Sequence, residues 1–179
     1  MNSNSTYYDD NYSPCKKDRK EPDYGKKEKK PICPTIIKCS CPGSVTIPVI
    51  VDAGIGTTFT ATSLTLDTSC LKNPCTKLEF TSNLVSTAFT GTLSFQVFKQ
   101  CKYQFAPVPV GPAFIYSRAV GVAEANTFSF FVCDCDSCND DCCTYTLVVT
   151  AQTAIGVGLA ISNATLGAIS TCGSNSCAC

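Results

Sequence analysis

From residue 32 onward, apolar and polar positions alternate with a period of two, the spacing of a strand whose successive side chains point to opposite faces. In Thr92–Phe98, Leu93, Phe95 and Val97 share one face, and Thr92, Ser94 and Gln96 share the other. Lys77–Thr81 sets Leu78 and Phe80 against Lys77, Glu79 and Thr81. Phe128, Phe130 and Val132 align within Thr127–Val132, and Tyr145, Leu147 and Val149 align within Thr144–Thr150. Further β-branched runs lie at Thr35–Cys39, Val45–Val51, Thr57–Leu66, Ala113–Arg118 and Gly156–Ser170. Turn signals separate them at Pro42-Gly43, Asp52 to Gly56, Asn73-Pro74, the stretch holding Pro107, Pro109, Gly111 and Pro112, and Asn139 to Asp141. This pattern predicts an all-β fold, an antiparallel β-sandwich of about eight strands over residues 32–171. A jelly-roll-like topology is expected, with an immunoglobulin-like one as the alternative.

Residues 1–31 break the pattern. They contain no Leu, Val, Ile, Phe or Ala, and so lack the apolar surface whose burial offsets the entropy of ordering. They are expected to form a flexible connector arm, roughly 30 Å end to end as a coil and about 100 Å fully extended. The arm lacks the apolar stretch of a secretory signal peptide. The last residues, 172–179, read as a cysteine-rich tail ending G-S-N-S-C-A-C.

Charge sharpens this division. Of 14 basic and 14 acidic residues, eight and six fall in the arm, which leaves six and eight for the other 148 positions. A zero net charge gives no field to steer the chain to nucleic acid or to an acidic membrane. No apolar run approaches the roughly 18 residues of a membrane-spanning helix. A sandwich so poor in charge is expected to have much of its surface covered by other copies of itself. Histidine is absent, which excludes the Ser-His-Asp and Cys-His catalytic arrangements. The acids outside the run from Cys133 to Cys143, namely Asp52, Asp67, Glu79 and Glu124 of residues 32–179, are scattered without visible pairing. The chain is therefore read as non-catalytic and without a cofactor.

The 15 cysteines carry the remaining chemistry. An odd number leaves at least one free or bonded between chains. Their concentration at chain ends and loops suits bonds between subunits, for which Cys15, Cys33, Cys39, Cys41, Cys142, Cys143, Cys172, Cys177 and Cys179 are candidates. Cys142 and Cys143, being adjacent, are expected to bond different partners. Cys70, Cys75, Cys101, Cys133, Cys135 and Cys138 are candidates for bonds within one chain. The competing reading takes C-D-C-D-S-C-N-D-D-C-C, Cys133 to Cys143, as a zinc or copper thiolate site. No second matching knuckle accompanies it, and its Asp/Asn content fits a loop, so no metal is assigned. Disulfides are rare in reducing cytosol; without a signal peptide, oxidation would have to follow lysis of the producing cell.

A cysteine-bearing arm, a low-charge sandwich, many cysteines and no signal peptide together resemble the pilin-like subunits of bacterial endospore appendages. In addition, D-T-S-C-L-K-N-P (Asp67–Pro74) followed by K-L-E-F-T-S-N (Lys77–Asn83) is similar to an uncharacterised cysteine-rich family of anaerobic spore formers. The appendage resemblance implies a jelly roll whose copies associate through sheet edges, with N-terminal connectors disulfide-bonded to other subunits. Cys15 then matches the connector cysteine by position, and Cys33, Cys39 and Cys41 match its base or its acceptors. Appendage connectors often carry a Cys-Cys pair, whereas this arm has Cys15 alone. The expectation is a self-assembling structural subunit of a disulfide-stabilised fibre on the spore surface. Its partners would be copies of itself and other spore-surface proteins. A non-fibrous coat, exosporium matrix or adhesion protein is the alternative within the same setting.

Overall fold

The computed structural model describes residues 33–52, 55–102, 104–135 and 142–173, without the side chain of Glu124. Seven strands account for most of them: β1 (Ile36–Cys39), β2 (Gly43–Ile47), β3 (Thr58–Asp67), β4 (Pro74–Cys101), β5 (Val108–Asp134), β6 (Cys142–Ala151) and β7 (Leu159–Cys172). All pairings are antiparallel.

β4 and β5 form a hairpin of 28- and 27-residue strands that serves two sheets. The first half of β4, Pro74 to Val85, pairs with β7, and the second half, Leu93 to Cys101, pairs with β6. β5 follows β4 along both halves. The hairpin changes sheet where register shifts interrupt the ladder between Ser86 and Gly91. Gly91 has a φ of 136° there, a conformation that glycine alone adopts without strain.

One sheet therefore runs β1 and β2, then β7, the first half of β4 and the second half of β5. The other runs β3, β6, the second half of β4 and the first half of β5. Counted as eight segments in chain order, with β1 and β2 as the first, the sheets read 1-8-3-6 and 2-7-4-5. That is jelly-roll connectivity.

The core lies between the inner faces. Phe80, Phe89, Phe95, Leu93, Leu147, Val149, Leu159, Ile161 and Leu166 are fully buried. Rings meet within and across the sheets, Phe80 with Phe130 at 5.4 Å, Phe95 with Phe128 at 4.6 Å and Phe114 with Phe130 at 4.1 Å between centroids. The outer faces carry cross-strand hydroxyl pairs. Thr65 and Thr144 are 3.0 Å apart, and Thr92 and Ser117 are 2.8 Å apart. Such cross-strand pairs stabilise a sheet without charge.

Lys99 continues the inward face of β4, and Asp134 continues that of β5 in the opposite sheet. Lys99 Nζ lies 2.7 Å from Asp134 Oδ2, to which the Tyr145 hydroxyl also donates at 2.7 Å. This contact brings the start and the end of β4 to the same end of the sandwich.

Two expectations change. The stretch from Pro109 to Pro112 lies inside β5 and is not a turn. β5 is an edge strand, where a missing N–H costs no ladder bond. The nine predicted runs condense into seven strands, because Lys77–Thr81 joins Thr92–Phe98 in β4 and Ala113–Arg118 joins Thr127–Val132 in β5.

Candidate functional site

The disulfide-bonded cysteines among the described residues gather at the end of the sandwich that Lys99 and Asp134 close. In the first sheet, Cys75 opens β4 and is bonded to Cys135, just beyond β5, with Cα atoms 4.1 Å apart. Cys172, the last residue of β7, is bonded to Cys33, which precedes β1, at a Cα separation of 6.0 Å. In the second sheet, Cys101 at the end of β4 is bonded to Cys143 at the start of β6, directly opposite it in the ladder, at 4.0 Å. Cys70, between β3 and β4, is also disulfide-bonded.

This pattern corrects four assignments. Cys33, Cys143 and Cys172 are bonded within the chain, because strand pairing sets each beside a cysteine of its own fold. Cys133 is free and exposed, because it points outward while its ladder partner is Lys77. Cys39 and Cys41 are free and exposed, and Cys142 is free and half-buried. Of the adjacent pair, Cys143 is bonded to Cys101 and Cys142 has no disulfide partner among the described residues. Cys15, Cys138, Cys177 and Cys179 lie outside the described residues. The run from Cys133 to Cys143 loses Cys135 and Cys143 to disulfides, so those two sulfurs are not available as thiolate ligands.

Cys39 and Cys133 stand on strands that are edges among the described residues, whereas Cys142 begins β6, which is paired on both sides. Among the described residues, β5 pairs only with β4, and β1 pairs only with β7. β2 and β3 are edges that approach one another. A Cβ on Gly43 would collide with the Ala61 carbonyl oxygen, and Thr62 Oγ1 donates to Ser40 Oγ at 2.9 Å. The first half of β5 is guarded by Pro109, Pro112 and Arg118, the residues that commonly blunt an edge. Within its second half, the stretch Thr127–Cys133 contains neither proline nor charge, with Glu124 before it and the inward-pointing Asp134 after it.

Apolar groups cluster on these edges. Val108, Ile115, Val120, Val122 and Phe131 are exposed on β5, Phe131 at 60%, and Ile37 on β1 is 72% exposed. Phe131 carries the Lys77 ammonium 5.1 Å from its ring centroid, and Lys77 pairs with Glu79 at 3.1 Å. One ladder row crosses this whole outer face, running Phe131, Glu79, Gly167, Cys39. Gly167 leaves a groove of about 290 Å³ in it, flanked by Ile37, Cys39, Lys77, Glu79 and Ile169. Sequence alternation locates the outward positions, but that Phe131 and Cys39 occupy opposite edges of one sheet follows only from strand order.

The fold and these bonds define a disulfide-stabilised all-β domain of jelly-roll topology. The chain belongs to the family described as Domain of unknown function (DUF4489), which matches residues 33–171. None of the curated proteins matches it. Among solved structures, it is similar to a chain of the infectious bursal disease virus Gx strain, with 13% identity over 87% of this chain and 37% of that one and a TM-score of 0.46. The non-crystalline cellulose specific carbohydrate-binding module CBM28 is similar at 11% identity, over 70% of this chain and 73% of that one, with a TM-score of 0.39. The enzymatically active domain of bacteriophage CBA120 tailspike protein 4 is similar at 15% identity, over 74% of this chain and 19% of that one, with a TM-score of 0.33.

Proposed function

We propose that this protein is a non-catalytic, self-assembling structural subunit of a disulfide-stabilised fibre on the spore surface. Copies join by pairing sheet edges and are then locked through cysteines, with residues 1–31 reaching a neighbour and Cys15 bonding it. The carrying observation is the 27-residue β5, paired on one side only among the described residues and lined with exposed apolar side chains. An unpaired edge presents a row of N–H and C=O groups, and another chain can complete it. A contact between unlike edges that does not close on itself produces a filament. The exposed free thiols of Cys39, Cys41 and Cys133 provide the locking chemistry. The spore setting is supported by the appendage resemblance.

The test is electron microscopy and non-reducing electrophoresis of the purified chain after air oxidation, with and without residues 1–31. Regular filaments that survive denaturant and fall to monomers only with reductant are expected. Removal of residues 1–31 should leave the sandwich folded and the filaments fragile. Monomers alone under oxidising conditions would end this reading.

A further inference from the structure

Cys39 and Cys133 occupy opposite edges of the same sheet and the same outer face. Cys39 ends β1, and Cys133 lies in the second half of β5, in the stretch free of proline and charge. Within one chain they cannot meet, because β7 and the first half of β4 lie between them, about 14 Å at the usual strand spacing. Both are exposed, and neither is bonded. We propose that β1 of one copy adds to the second half of β5 of the next, and that Cys133 of one is disulfide-bonded to Cys39 of the other across this joint. The proposal rests on the fibre reading and assigns its contact.

Strand parity supports the pairing. Four strands cross this sheet between the two edges, and each runs opposite to its neighbour. A copy displaced sideways without rotation therefore offers its β1 antiparallel to β5, with its outer face still outward. The sheet continues through the joint as the same antiparallel ladder.

Register supports the cysteines. An unstaggered copy sets Cys39 opposite Phe131, since these two share a ladder row. Any register that keeps the faces matched moves in steps of two residues. One step, about 6.6 Å, sets Cys39 directly opposite Cys133 and Lys38 opposite Asp134, and carries Ser40 and Cys41, which follow β1, along Val132 and Phe131. Directly opposed residues of an antiparallel pair have Cα atoms about 4.5–5.5 Å apart, inside the span a disulfide bridges. In this register Phe131, with its 60% exposure, comes opposite Cys41, in the segment between β1 and β2 of the incoming copy.

The bond forms by exchange with a small-molecule disulfide such as oxidised glutathione. The Cys133 thiolate displaces one glutathione thiolate to give a mixed disulfide, and the Cys39 thiolate displaces the second. One protein disulfide is made, one glutathione disulfide is reduced to two thiols, and the protons shed by the two cysteines pass to the two glutathione thiolates.

The test uses the full chain, prepared with natural-abundance and with ¹⁵N nitrogen, mixed in equal amounts and oxidised with glutathione disulfide. Non-reducing peptide mapping should find the Cys39–Cys133 cross-link, about half of it as mixed-isotope pairs. Cys133→Ser and Cys39→Ser should each abolish it, whereas Cys142→Ser should leave it intact. Micrographs of the same samples separate this joint from the parent reading. Filaments without a mixed-isotope Cys39–Cys133 peptide overturn the joint alone. Absence of both filaments and peptide overturns the joint and the fibre reading together. The mapping on the unsubstituted chain decides the matter even if a variant fails to fold.

Discussion

Lys99 and Asp134 form an ion pair of 2.7 Å between the two sheets, with side chains 6% and 5% exposed. Neither charge can regain water if the other is removed. Breaking such a pair from one side costs about 3–5 kcal/mol, while replacing both partners with apolar residues is often neutral. Lys99→Met should therefore lower the unfolding free energy by roughly that amount, and Lys99→Met with Asp134→Leu should recover most of it. Urea titration of the three proteins checks this. A double variant as unstable as the single would show that the pair is not the energetic unit.

Tyr145 isolates one bond of the same cluster. Its hydroxyl donates to Asp134 Oδ2 at 2.7 Å, and a hydrogen bond to a charged group contributes about 1.5–3 kcal/mol. Tyr145→Phe keeps the ring and should lose about that much in the same titration.

Phe80 is fully buried and packs on Phe95 and Phe130, with centroids at 6.1 and 5.4 Å. Phe80→Ala should cost about 3–5 kcal/mol through lost transfer energy and the cavity left behind. A Phe131→Ala control removes a ring that is 60% exposed and should change stability by under about 1 kcal/mol. Calorimetric melting compares the two.

Gly91 is the point where the long hairpin changes sheet. A Cβ there would lie 2.6 Å from Ile155 Cδ1 and 2.9 Å from the Ala154 carbonyl oxygen, on a φ of 136°. Gly91→Ala combines a clash with backbone strain, which costs on the order of 1–3 kcal/mol alone. It should be markedly less stable than Gly56→Ala, whose φ is also positive but whose Cβ would meet nothing within 4 Å.

The Cys101–Cys143 bond closes a span of 42 residues. Replacing both by alanine should cost about 2–4 kcal/mol, with the circular dichroism of the sheet retained. The core is large enough to hold the fold without this staple. Loss of the β spectrum would show that it is not.

Alternation revealed which side chains face the core. Leu78, Phe80, Leu93, Phe95, Val97, Phe130, Val132, Tyr145, Leu147 and Val149 are all buried. The fusion of runs into β4 and β5 was hidden because no turn signal marks a bend made within a strand. Cysteine partners were hidden for another reason. Cys101 and Cys143 become neighbours only through β4–β6 pairing, and Cys75 and Cys135 only through β4–β5 pairing. No local pattern encodes either contact. Lys99 extends the apolar face of Leu93, Phe95 and Val97, so its inward position was readable, but its counter-ion sits in the opposite sheet.

The carboxyl end of β5 is anchored on consecutive residues. Asp134 is tied to Lys99 of the second sheet, and Cys135 is tied to Cys75 of the first. Tension applied at that end of the strand would load a covalent bond and a buried ion pair before it reached any ladder hydrogen bond. The strand can thus bear a sideways pull from an adjoining copy without peeling away from its own sheet.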